Sequence, residues 1–324
     1  MNSSARVFNI TPAVREAVPL LIGITGPSGG GKTYSALRLA TGIQSVSGGD
    51  IFAIDTEARR MLHYAEKFKF RHLQFDAPFG SLDYLTAIRQ CASTGAKIII
   101  VDSMSHEHEG PGGMLDYQIK EFERLGNQES KKMLAWQKPK AARQALLNGI
   151  LQIPANFIFC FRAKEKIKMV GGKVVPQGFM PIAGDEFVFE MTVNALLLPH
   201  ANGIPTWKSE EPGERMMMKL PEQFMEIFAA PQPLSEEMGV KLATWATGSS
   251  VPILDAWADI LDGIRNAARD GSAALKAHYK KLSKPARKIA DTIGEELRAT
   301  AVEADAMNET PEAPANVAAT EDVI

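Results

Sequence analysis

The sequence predicts an α/β fold, a mostly parallel central sheet covered by helices, on three observations. Short apolar runs end in polar residues at Thr25, Asp55 and Asp102. Segments of helical periodicity alternate with those runs, so each strand is followed by a crossover that brings the chain back parallel. A glycine-rich turn joins the first run to the first helix.

That turn organises the rest. Gly26-Pro27-Ser28-Gly29-Gly30-Gly31-Lys32-Thr33 fits the spacing G-x-x-x-x-G-K-[ST] at every position. Val18 to Thr25 before it reads as a buried strand, and Tyr34 to Gln44 after it reads as a helix, which is the context the pattern requires. Glycines let the backbone curl until several N–H groups point at one anion, and the helix N-terminus adds partial positive charge. Gly26 to Thr33 with the adjoining Tyr34 are therefore the candidate nucleotide-binding residues. Lys32 is expected to reach the β- and γ-phosphates, and the Thr33 hydroxyl to hold Mg²⁺.

Composition narrows the class. The chain has 324 residues, 45% of them apolar, and a formal net charge of -2. No global field attracts nucleic acid, so any such contact needs a local basic patch. Cys91 and Cys160 lie in apolar contexts without metal-ligand spacing and read as reduced core residues. The longest apolar runs fall far short of the roughly 18 residues a membrane span needs, and with the reduced cysteines the expected location is the cytoplasm.

In chain order, residues 1–16 are polar and read as an N-terminal arm. Ile51 to Asp55 is a second strand, followed by a helix over Arg59 to Lys69, a short strand at His72 to Phe75, and an amphipathic helix from Ser81 to Ser93. Lys97 to Asp102 is a central strand with a carboxylate at its C-terminal end. In phosphate-loop NTPases the loop hydroxyl and such an aspartate share the metal, so Thr33 and Asp102 form the expected Mg²⁺ pair. Ser103 follows Asp102, so the acidic pair many ATPases place here is missing. Glu57, just past the second strand, is the best group to orient water; the plainer reading is a solvated glutamate at a helix start.

Here the sequence resembles the RecA-like ATPases. Ala53-Ile54-Asp55-Thr56-Glu57-Ala58 is similar to the RecA strand that carries the catalytic glutamate, and Ile100-Val101-Asp102-Ser103 to its aspartate–serine strand end. Within that class the chain most resembles phage and prophage ATP-binding proteins related to Sak-type single-strand annealing and recombination ATPases. The residues carrying this likeness are Asp102 to Glu107, Glu109-Gly110-Pro111-Gly112-Gly113, Trp136 and Arg162-Ala163-Lys164, within about residues 18 to 230. Arg162 stands where RecA has glutamine. The resemblance implies a RecA-like P-loop core, ATP and Mg²⁺ as cofactors, and a homo-oligomer with nucleotide at subunit interfaces.

His106-Glu107-His108-Glu109 invites a metal reading, but alternation leaves only the two histidines on one side of an extended chain; a loop sensing γ-phosphate or a neighbouring subunit fits better. Helices are expected at Met114 to Arg124 and Glu129 to Leu151, broken at Pro139, then a buried strand from Asn156 to Phe161. Arg162 and Lys164 at its end are candidates to stabilise transferred charge, in their own subunit or across an interface; the alternative is a basic surface hairpin. Gly171-Gly172 between β-prone residues signals a hairpin turn.

From residue 131 to 173 the charged residues are Lys131, Lys132, Lys138, Lys140, Arg143, Arg162, Lys164, Lys166, Lys168 and Lys173, against Glu165 alone. The RecA resemblance puts a single-stranded DNA surface on this segment, with Trp136 available for base stacking. A solvated helical face with Trp136 in the core competes with that. Residues 185 to 198 read as a further strand, Thr206 to Lys208 and Met216 to Leu220 as another pairing, and Pro221 to Ala229 as a helix closing the core.

The expected organisation is an arm at 1–16, an ATPase core at 17–230, a helical region at 234–302 and an acidic, unstructured tail at 303–324. No LSGGQ-like signature supports an ABC ATPase, and no arginine-rich lid supports a small-molecule kinase. Two functions remain. One is a Mg²⁺-dependent ATPase acting on single-stranded DNA in phage recombination or replication, working with phage recombination or replication proteins. The other is an ATP-switched assembly or adaptor protein with little turnover.

Overall fold

The computed structural model describes residues 16–248, 253–282, 286–287, 290–291 and 293–308. Residues 1–15 of the expected arm and most of the expected tail lie outside them. The chain divides into two compact units after Ser250.

The first unit is built on seven strands: β1 (Leu21–Gly26), β2 (Ile51–Asp55), β3 (Arg71–Gln74), β4 (Ile98–Asp102), β5 (Asn156–Val170), β6 (Lys173–Pro181) and β7 (Val193–Leu196). Their order is β3-β2-β4-β5-β1-β7, all parallel, with β6 antiparallel to the outer half of β5. This is the RecA-like α/β P-loop fold that the sequence predicts. Side chains alternate between the faces. Ile22, Ile24, Ala53, Ile100 and Cys160 pack under α1 (Lys32–Ser47) on one side. Phe52, Ile54, Ile99, Phe157 and Phe159 pack against α2 (Ser81–Ser93) and α5 (Gln137–Leu151) on the other. Cys91 and Cys160 are buried free thiols.

Several local expectations change. The helix over Arg59 to Lys69 is a single 3-10 turn, Arg60–Tyr64. Ala58 and Arg59 turn left-handed, at φ 54° and 65°, which a helix cannot accommodate. Residues His106–Glu109 form a helical turn, α3, rather than an extended segment. Pro139 does not break a helix; it sits in the first turn of α5, where an amide has no intrahelical acceptor to lose. The stretch 185–198 is helix α6 (Asp185–Glu190) followed by β7, because Asp185 and Glu186 suit a helix N-terminus. Thr206 and Lys219 each bridge β7 once, at Leu196 and Asn194. The segment from Pro221 holds only a 3-10 turn, Glu222–Phe224, yet Phe224 and Phe228 are buried and close the core.

The helix Glu236–Ala246, which the sequence groups with the C-terminal helices, lies on α1 instead. The two cross at glycines. A β-carbon on Gly42 would stand 1.9 Å from the Glu236 carbonyl oxygen, and one on Gly239 would stand 2.3 Å from that of Leu39. The second unit contains helices Ile253–Arg269, Ser272–Lys281 and Gly294–Asn308, around a small core of Ile264, Ala268, Ala290, Leu297 and Ala301. Glu303 to Asn308, expected as unstructured tail, complete the last helix. Among the described residues no helix is long and apolar enough to cross a membrane.

Candidate active site

The carboxyl ends of β1, β2 and β4 and the middle of β5 open into one cleft of about 560 Å³. Ser28, Gly29, Gly31, Lys32, Thr33, Tyr34, Glu57, Asp102 and Arg162 line it. Gly29 and Gly31 take φ of 80° and 93°, which lets the loop curl back over the start of α1. Gly31 also has no room for a side chain, since a β-carbon would lie 2.9 Å from the amide of Gly203. The first turn of α1 has no acidic residue and no side-chain cap, so its amides are free to face an anion. The Lys32 ammonium donates to the Pro27 carbonyl at 2.8 Å, spanning the loop. Burial lowers its pKa, partly countered by nearby acids including Asp102.

β5 stands between β1 and β4, so Asp102 is one strand further from the phosphate loop than a neighbouring strand end would be. The two still meet, because Thr33 on α1 reaches across: its hydroxyl donates to Asp102 Oδ2 at 2.5 Å. Asp102 is 3% exposed. Burial pushes its carboxyl up to about 6, against the Thr33 hydrogen bond and the Lys32 charge. A buried carboxylate beside a hydroxyl is a fit for Mg²⁺, a hard cation that takes few protein oxygens and completes its shell with phosphate and water. Thr33 and Asp102 would hold it. Among the described residues no group of three or more His, Cys, Asp and Glu is placed to hold a metal ion.

The His106–Glu109 turn is tied to its neighbours on several sides. Glu107, 1% exposed, accepts from Arg143 Nη2 at 2.8 Å and from the Ser81 hydroxyl at 2.6 Å. His108 Nδ1 lies 2.9 Å from the same guanidinium. His106 Nδ1 meets the Thr56 hydroxyl at 2.8 Å and its ring stacks on Phe79. Both imidazoles are held below their ordinary pKa, first by burial and then by an arginine, Arg162 for His106 and Arg143 for His108.

Glu57 sits where the sequence places a water-orienting group, but it is engaged. Arg162 Nε donates to Oε1 at 2.7 Å and Nη2 to Oε2 at 2.5 Å. Burial pushes the Glu57 carboxyl up; Arg162, by hydrogen bond and charge, outweighs this and leaves it below the usual range. Lys164, the other expected cation, lies outside the cleft lining and pairs with Glu109 at 3.3 Å.

A family model described as an AAA domain matches residues 19–188, just over half of the chain. The chain belongs to the AAA domain family. No curated protein matches it. The matched part of this AAA domain contains the phosphate loop, Glu57, Asp102, Arg162 and the whole β5–β6 pair. It is a P-loop domain of the ATPase type.

Three lining residues of the AAA domain were missed by sequence reasoning. Arg60 and Tyr64 enter the cleft from the 3-10 turn, and Ile182 from the end of β6. Tyr64 packs on Tyr34, ring centroids 5.8 Å apart, with Phe68 beyond and the Lys67 ammonium 4.7 Å from the Tyr34 ring centre. No pattern in the sequence marks them, because they face the cleft only once the expected helix is replaced by a left-handed turn.

β5 and β6 of the AAA domain continue past the sheet as a two-stranded ribbon, turning at Gly171 and Gly172 with φ of 56° and 78°. Residues opposite each other in the ladder share a face. Lys164, Lys166, Lys168 and Lys173 fall on one face; Ile167, Met169, Val174 and Phe179 fall on the other with Glu165. Arg143 is not part of this cationic surface, being buried on Glu107, and Lys138 is paired with Glu121 at 3.0 Å. Trp136 is half-buried.

Proposed function

We propose that this protein is a Mg²⁺-dependent ATPase that acts on single-stranded DNA in phage-type recombination or replication, and that it works as a homo-oligomer. One observation carries the reading: the strand that supplies Arg162 to the cleft is the strand that becomes the lysine-faced ribbon. Nucleotide and polyanion would thus be read by two ends of one element.

In this scheme the loop amides and Lys32 bind the phosphates, and Thr33 and Asp102 bind the metal. Held there, Mg²⁺ would supply neutralisation of phosphate charge. Arg162 turns from Glu57 to the γ-phosphate, which competes for the guanidinium as a second anion. Glu57, released, accepts a hydrogen bond from water and takes its proton at a carboxylate oxygen while the water oxygen bonds to the γ-phosphorus and the bond from that phosphorus to the bridging oxygen breaks, releasing ADP. The lysine row, about 7 Å between alternate residues at 3.3–3.4 Å per residue, suits an extended sugar–phosphate chain.

The test is ATP turnover by the purified protein with and without single-stranded DNA, with Asp102→Ala as the background. Stimulation by DNA that vanishes in the variant supports the proposal. A second reading, a nucleotide-switched adaptor with little turnover, draws on the same Glu57–Arg162 pair, which keeps the candidate base occupied. Nucleotide-dependent assembly without DNA-stimulated hydrolysis would favour it.

A further inference from the structure

Asp55 is the last residue of β2, its side chain fully buried, and the scheme above gives it no task. Both of its oxygens are nevertheless committed. Oδ1 accepts the backbone N–H of Glu57 at 2.8 Å. Oδ2 accepts the backbone N–H of Met61 at 3.0 Å and lies 3.1 Å from His72 Nε2 on the edge strand β3. Between those two amides the chain passes through the left-handed residues Ala58 and Arg59, a conformation that costs side-chain-bearing residues energy unless neighbours hold it. The same turn is tied to the metal-side strand, since the Thr56 N–H donates to the Asp102 carbonyl at 2.8 Å.

We infer that Asp55 is a positioning residue that aims Glu57 into the cleft, and that His72 fixes the Asp55 carboxylate from the outer strand. The inference rests on the reading of Glu57 as the water-orienting group. With the Glu57 amide pinned, passing from Arg162 to a water requires only side-chain rotation. Without the pin, the backbone between 56 and 61 is free to relax, and the carboxylate loses its aim. A carboxylate is required because an amide has one oxygen: in Asp55→Asn the nitrogen must face the N–H of either Glu57 or Met61, donor against donor.

The experiment compares wild type, Glu57→Gln, Asp55→Asn and His72→Ala in the full chain. Affinity for a fluorescent ATP analogue, single-turnover hydrolysis, and hydrogen exchange across residues 55–62 are read for each. Misplacement of a reacting group by about 1 Å costs up to roughly 100-fold, so Asp55→Asn is expected to bind the analogue as wild type does and hydrolyse ATP about 10- to 100-fold more slowly. His72→Ala, which removes one of three donors, is expected to slow hydrolysis about threefold at unchanged affinity, in line with a partial loss of positioning. Exchange at the Glu57 and Met61 amides should quicken in both. Full-rate hydrolysis by Glu57→Gln would overturn the base assignment and this inference together. A dead Glu57→Gln beside a fully active Asp55→Asn would overturn the positioning role alone, as would parallel loss of affinity and rate. Should Asp55→Asn not fold, His72→Ala decides: unchanged exchange at Glu57 and unchanged rate overturn the inference.

Discussion

Arg162 grips Glu57 through both carboxylate oxygens, whereas Arg60, the other arginine of the cleft lining, comes only within 3.7 Å of one of them. Removing it should leave burial as the main influence on Glu57, so its pKa should rise from below the usual carboxylate range to above it. The acidic limb of kcat/KM, which reports the free enzyme, is therefore expected to move to higher pH in Arg162→Ala. An unmoved limb would show that a different group titrates.

Asp102 gives a stability prediction. Its folded pKa is raised to about 6 by burial, so its contribution is fully present below the unfolded value of 3.8 and is lost as pH rises through the folded one. Without nucleotide, Asp102→Asn should match wild type near pH 4 and exceed it by about 3 kcal/mol at pH 8, at 1.36 kcal/mol per pKa unit. Urea unfolding at the two pH values measures this, and the variant should also lose Mg²⁺-dependent nucleotide binding.

Gly42 and Gly239 make a third case. Alanine at Gly42 would drive a methyl group into the Glu236 carbonyl, and helix backbones do not yield as a flexible side chain does. The expected cost is about 3 kcal/mol, seen as a fall in thermal midpoint. A chain ending at residue 230 should lose the core for the same reason, whereas one ending at residue 248 should keep it.

For the ribbon the readout is salt. Affinity for single strands falls with log salt at a slope of roughly 0.7 per phosphate neutralised. Each of Lys166→Ala and Lys168→Ala should lower that slope by about this amount, while Lys138→Ala, whose ammonium is already paired with Glu121, should change it less.

Much of the candidate site was legible because the residues that shape it are local in sequence. The spacing of Gly26 to Thr33 specifies a loop, and the β-branched run into Asp102 specifies a central strand whose end faces that loop. The strand order was not legible: nothing in Asn156 to Phe161 says that it inserts between β1 and β4. Glu57 was found by its place after a strand, but its partner lies 105 residues away, and no spacing rule connects them. The Arg59–Lys69 helix failed because Asp55 takes two amides of the following turn, a tertiary commitment that outweighs helical periodicity. Arg143 was counted as surface charge because its partner, Glu107, sat in a stretch that invited a metal reading instead.

β5 runs without interruption from Asn156, inside the sheet, to Val170 at the ribbon tip. Along its inner half it is hydrogen-bonded on one side to the strand that launches the phosphate loop and on the other to the strand that ends in Asp102. Anything that grips the tip therefore pulls on a rod clamped between the two halves of the nucleotide site. Beyond Arg162 the strand is paired with β6 on one flank, and that ladder shifts register between Lys166 and Ile167, so the ribbon can flex there while the inner half, with Arg162 at its end, stays fixed in the sheet.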